Sequence, residues 1–315
     1  AINGTASPPL RSLPNDRSPT PAREAQPLSV CPKRFLWRVD PSEVRSAGVK
    51  YRVLGRTGLK VSELGLGGHE YRRPLPTTLE RWGETDREEF MRRQPARTKL
   101  VEGAIKAGIN YFDTTQREET ESLGLALEQL GEKKNVHATA MLLGLFRRMA
   151  EKPTSEWRQM VVDDVEDRLR LLRADQVDIL TLLMPEHDYT SERLTRTVEI
   201  LQELRKEGKI RFIGASSHQL PFLAELVRRY DCFDTIMVQY NYHLQDARDV
   251  IFPLAKALQI GVIVMKPLAW PYYGLPFTRF GPLEADREGG CTPAQTSLRW
   301  ILSSNEVSTL SLIHI

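Results

Sequence analysis

Leu194-Thr-Arg-Thr-Val-Glu-Ile-Leu-Gln-Glu-Leu-Arg-Lys-Glu-Gly-Lys-Ile-Arg-Phe-Ile-Gly-Ala-Ser216 contains one whole repeat unit of the fold. Val198, Leu201 and Leu204 recur at helical spacing and give one apolar face. Glu207-Gly-Lys209 supplies a C-terminal glycine stop. Ile210–Ser216 is then an apolar run with the length of a buried strand. The same grammar recurs upstream. Met160, Val161, Val165, Leu169 and Leu172 share a face of the helix Trp157–Leu172, and the strand Val177–Leu183 follows. Further strands are predicted at Leu64–Gly67, Ile109–Thr114, Asn135–Met141, Ile236–Tyr240, Gly261–Pro267 and Val307–Leu310. Tyr51–Leu54 and Leu59–Ser62, joined by Gly-Arg-Thr-Gly, read as a hairpin. Eight strand–helix units in about 250 residues predict an α/β fold, a (β/α)8 TIM barrel with its site at the C-terminal strand ends. No helix follows the eighth strand, so the barrel is read as C-terminally truncated there.

Composition narrows the function classes. Hydrophobic residues make up 41% of the 315 and charged residues 27%, as in a globular protein with a sizeable core. The net charge is +3, from 44 basic and 41 acidic residues, with the bases scattered beside acids along helices. That argues against a nucleic-acid partner. No apolar run reaches the roughly 18 residues that span a bilayer, so no membrane role is expected. Cys31, Cys232 and Cys291 are too far apart for a Cys-x-x-Cys site and odd in number. A reducing cytoplasm and no metal are the reading.

Both ends differ from the middle. Residues 1–48 hold eight of the twenty prolines and no periodicity, the composition of a disordered or non-native extension. Val49 directly precedes the hairpin and is read as a start position, giving a barrel over 49–309. Leu310-Ser-Leu-Ile-His-Ile315 looks like a translated adapter from a sequencing library, which makes the chain a metagenomic fragment; a genuine short strand is the alternative.

Six motifs in order carry a resemblance to the aldo/keto reductase superfamily: Tyr51–Ser62, Gly108-Ile-Asn-Tyr-Phe-Asp-Thr114, Gly208–Ser216, Val238-Gln-Tyr-Asn-Tyr242, Val264-Met-Lys-Pro-Leu268 and Thr292-Pro-Ala-Gln-Thr-Ser-Leu-Arg-Trp300. Ser216-Ser-His218 and Met265-Lys-Pro267 are most similar to a bacterial branch that sometimes carries a C-terminal iron–sulfur module. The resemblance implies hydride transfer between NADP or NAD and a small carbonyl or alcohol. In the family a Tyr protonates the alkoxide, tuned by a Lys paired with an Asp, and a His orients the carbonyl. Asp113 matches the Asp. Glu118 stands at the Tyr position, Thr139-Ala140 replaces the Thr-Lys pair, and Leu183 aligns with the His. Three of the four positions are thus not kept.

Glu118, Glu119 and His187 are the candidate replacement acids, against a reading as an acidic surface loop and a solvated histidine. His69 and Tyr71 follow the first strand and could face the pocket. On the cofactor side, Ser216 and Gln239 match family positions that hold the nicotinamide carboxamide. Ser217 replaces the usual Asn, and Met265 stands where many members stack a Tyr on the ring. Lys266 could meet a pyrophosphate or pair with an acid. The expectation is an aldo/keto reductase-like oxidoreductase scaffold that binds NADP or NAD, with ordinary carbonyl reduction weak or absent. The alternative is a non-catalytic barrel acting as a cofactor sensor or protein scaffold. Substrate and oligomeric state are left open.

Overall fold

The structure, a computed structural model, describes residues 48–68, 87–183, 192–242, 244–268 and 293–312. The expectations for residues 1–47, His69, Tyr71, His187 and residues 313–315 lie outside these. Among the described residues no helix is long and apolar enough to cross a membrane.

Eight parallel strands close into a barrel. They are β3 (Leu64–Gly67), β4 (Tyr111–Asp113), β5 (His137–Leu142), β6 (Val177–Leu183), β7 (Ile210–Ser216), β8 (Phe233–Gln239), β9 (Gly261–Met265) and β10 (Val307–Leu312). They run around the barrel as β10-β3-β4-β5-β6-β7-β8-β9. Helices such as Arg117–Leu130, Thr154–Leu172 and Glu192–Lys206 fill the crossovers. Leu310–Leu312 complete β10, in register with Leu64–Leu66 of β3.

Strand residues alternate between two apolar clusters, as a barrel wall requires. Ala140, Leu142, Leu180, Leu182, Ile213 and Ala215 face outward with helix residues Leu123, Val165 and Leu201. Tyr111, Met141, Ile179, Met237, Ile263 and Met265 face inward. Thioether side chains suit that second set, because an unbranched Met fills irregular gaps. Burying each such side chain contributes about 1.5–3 kcal/mol.

The N-terminal hairpin supplies the rest of the inner cluster. β1 (Tyr51–Val53) pairs antiparallel with β2 (Lys60–Ser62), and Leu54, Leu59 and Val61 pack against the inward side chains. Its turn needs glycine at position 55. The φ there is +50°, and an added Cβ would lie 2.2 Å from the Gly261 nitrogen. Arg52 fastens the hairpin by donating to the carbonyls of Leu302, Ser304 and Val307. These contacts leave the opposite, C-terminal end of the barrel as the place for chemistry.

Candidate functional site

Asp113 ends β4 with its side chain turned inward and buried. The Thr139 hydroxyl donates to its Oδ1 at 2.6 Å, and the Ser311 hydroxyl to its Oδ2 at 2.8 Å. β3 lies between β10 and β4. Gly65 has no room for a side chain, since a Cβ there would sit 2.5 Å from the Tyr111 ring. The Tyr111 phenol is fully buried, with the Thr139 side chain close by. Burial, with the Asp113 carboxylate nearby, holds it well above the usual phenol range.

Strand parity bears on the place where the sequence reading set Thr139-Ala140 against the family's Thr-Lys pair. Ala140 belongs to the outward cluster and Met141 to the inward one. The interior place beyond Thr139 on β5 is therefore filled by Met141, a thioether with no proton to exchange. Leu183, at the end of β6, packs against the inward cluster and fills the next strand end with hydrocarbon.

The two glutamates divide. Glu119 is fully buried, and its Oε2 accepts the backbone N–H groups of Thr115 at 2.8 Å and Gln116 at 3.0 Å. It forms half of a capping box at the N-terminus of the helix Arg117–Leu130. A Cβ on Gly68 would come within 2.4 Å of that oxygen, so the carboxylate is tightly enclosed. Glu118 is half-buried on the first helical turn and interacts electrostatically with Arg117. Arg117 in turn is paired with Asp167 on the helix Thr154–Leu172. The signal for the cap was present in Gln116-Arg-Glu-Glu119, with an acid three residues after the N-cap.

The remaining candidates gather at the ends of β7, β8 and β9. Ser216 is buried, and its hydroxyl has no hydrogen-bond partner. Gln239 lies in register with Met265 across β8 and β9. Ser217 Oγ accepts the Gln219 N–H at 3.1 Å and shapes the turn into the helix Leu220–Arg229. Its hydroxyl thus stabilises the loop. The unpartnered Ser216 hydroxyl ends β7, while Gln239 and Met265 end the next two strands, a set of end groups that suits a ligand with a carboxamide and a flat ring.

Lys266 is one of three non-glycine residues with positive φ among the described residues, and the one that directly follows a barrel strand. Its φ is +54°, a conformation that costs a non-glycine residue of order 1–3 kcal/mol. Asn241, itself buried, holds it there by donating to the Lys266 carbonyl at 3.1 Å. The side chain ends with Nζ 3.2 Å from His218 Nε2. Burial lowers the Lys266 pKa from its usual value. His218 comes from the loop after β7, so two strand ends meet across β8.

Comparisons with known proteins give one consistent result. The model of the aldo/keto reductase family matches residues 79–273. The chain is 28% identical over 228 residues to L-galactose dehydrogenase of Arabidopsis thaliana, covering 70% of this chain and 66% of that protein. It is 25% identical over 221 residues to the aldo-keto reductase YhdN of Bacillus subtilis, covering 69% and 61%. The chain thus spans about two thirds or less of these relatives' lengths. Among solved structures, it resembles aldo-keto reductase AKR11C1 of Bacillus halodurans in its apo and holo forms. Both have TM-score 0.58 and 23% identity over 84% of this chain, and they cover 84% and 85% of those chains. At that identity the likeness is one of fold.

Proposed function

Because the chain belongs to the aldo/keto reductase family, we propose that it binds NADP or NAD along β7–β9 and reduces ordinary aldehydes weakly or not at all. The observation that carries this reading is the lining of the β4–β6 strand ends. The Asp113 carboxylate there accepts the Thr139 hydroxyl and, from β10, that of Ser311, while Met141 and Leu183 take the neighbouring inward places. None of these groups except the carboxylate can carry a proton to an alkoxide. The cofactor, when bound, supplies hydride. Ser216 and Gln239 would orient its carboxamide, and Met265 would cover one face of the ring. General acid catalysis is worth about 10²–10⁴ in rate, and that is the share missing here. A small carbonyl or alcohol is the proposed ligand. The likeness to a sugar dehydrogenase makes hydroxyaldehydes the first panel to try.

A second reading, a cofactor sensor or protein scaffold without turnover, rests on the same emptied strand ends. The cytoplasm is the proposed location, from the odd and scattered cysteines. NADPH and NADH titrations followed by cofactor fluorescence test the binding claim. Saturable binding is expected, weakened roughly fivefold by Ser216→Ala, the loss of about one hydrogen bond. Absence of saturable binding by the folded protein would overturn the cofactor reading and leave the protein scaffold.

A further inference from the structure

The geometry points to Lys266 as an amine nucleophile that condenses with small aldehydes and ketones to form an imine, with His218 as its proton carrier. This activity is distinct from hydride transfer and needs no cofactor. Its support comes from several independent features of one residue. Lys266 directly follows β9, at the barrel end where enzymes of this architecture place their reacting groups. Its backbone is held in a left-handed conformation that lysine does not favour, secured by Asn241. Strain of this kind persists where the surroundings enforce it, and it concentrates at functional sites. The side chain is half-buried and its Nζ contact with His218 is exposed, which leaves Nζ open to a small carbonyl compound.

The surroundings assist a nucleophile: burial lowers the Lys266 pKa from its usual value, which brings the reactive free amine closer to hand. A partly desolvated lysine beside a titratable imidazole is one way to activate an amine toward a carbonyl. His218 Nε2, at 3.2 Å, is close enough to take the proton directly. In the reaction the Lys266 ammonium passes one proton to His218, and the Nζ lone pair forms a bond to the carbonyl carbon. A proton shift from nitrogen to oxygen gives the carbinolamine. The imidazolium then returns its proton to the hydroxyl, the C–O bond breaks, and water leaves. The products are a protonated imine and neutral His218, so charge and atoms balance and no oxidant or reductant is required.

The test is borohydride trapping on the whole chain. Propionaldehyde or dihydroxyacetone is added, the mixture is quenched with sodium borohydride, and adducts are mapped by peptide mass spectrometry. The expected result is that Lys266 carries the greater part of the label, well above the exposed Lys106 and Lys152. Lys266→Arg should lose that adduct and His218→Gln should reduce it. Label spread over the exposed lysines, with Lys266 no higher than they are, would overturn the proposal. The wild-type map decides the matter alone if a variant fails to fold. An NADPH titration of the same preparation separates this proposal from the cofactor reading, because either result can stand without the other.

Discussion

Placing a lysine on β5 at position 140 or at position 141 should give opposite results. Ala140 is 0% exposed and faces the helix layer. A lysine there forces its stem into a packed cluster, costing about 1–3 kcal/mol. Its ammonium is then buried without a designed partner, which adds several kcal/mol. The sum, about 4 kcal/mol or more, consumes most of a typical stability of about 5–15 kcal/mol. Met141 is 3% exposed but faces the barrel interior, and lysine nearly conserves its volume. Two residues along a strand span about 6.5 Å, within reach of a lysine stem. The Asp113 carboxylate lies 2.6 Å from the Thr139 hydroxyl, on the same face of β5 as position 141. An ammonium at 141 can therefore find an anion, and Met141→Lys should cost only about 1–3 kcal/mol. Urea unfolding followed by circular dichroism measures both variants. Ala140→Lys as stable as Met141→Lys, or more so, would refute the assigned faces and the argument about the vacant position.

Two other predictions concern groups that sequence alone leaves ambiguous. Glu119→Ala should lower stability by about 2 kcal/mol in urea titrations, since two half-buried N–H groups lose a charged acceptor. Glu119→Gln should cost less, and neither change should alter cofactor affinity. Burial pushes the Cys232 thiol up to about 11 from an ordinary 9.0. The folded state thus favours the neutral thiol. Its contribution to stability is complete below about 9.0 and is lost as the pH rises toward 11. Iodoacetamide labelling at pH 8 should accordingly be slow in the folded protein and fast in urea. Equal rates in both states would contradict the burial.

The barrel was legible because its signal is long. Helix faces of several turns and apolar runs of strand length repeat in a fixed order, and each strand predicted from the sequence appears in the structure. Boundaries were less legible where polar residues serve the strand. β8 begins at Phe233 rather than Ile236. Asp234 reads as a strand breaker, yet its Oδ2 accepts the Ile213 N–H at 3.0 Å and its carboxylate pairs with Arg205 at 3.1 Å. The site was harder still. A one-residue shift on a strand moves a side chain from interior to exterior. No pattern in Thr139-Ala140-Met141 tells which residue faces Asp113 before the ladder is closed. Likewise, the positive φ of Lys266 and its meeting with His218 join residues 48 positions apart. Their contact depends on barrel closure, which no local spacing encodes.

The central proposal is a cofactor site whose described β4–β6 strand ends offer no effective proton donor, and one rapid-mixing experiment tests it directly. Protein saturated with NADPH is mixed with excess simple aldehyde, and nicotinamide absorbance is followed through a single turnover. The account predicts bound cofactor and an oxidation rate hardly above that of free NADPH. Rapid stoichiometric oxidation would contradict it and would mean that the emptied strand ends still hold a working acid.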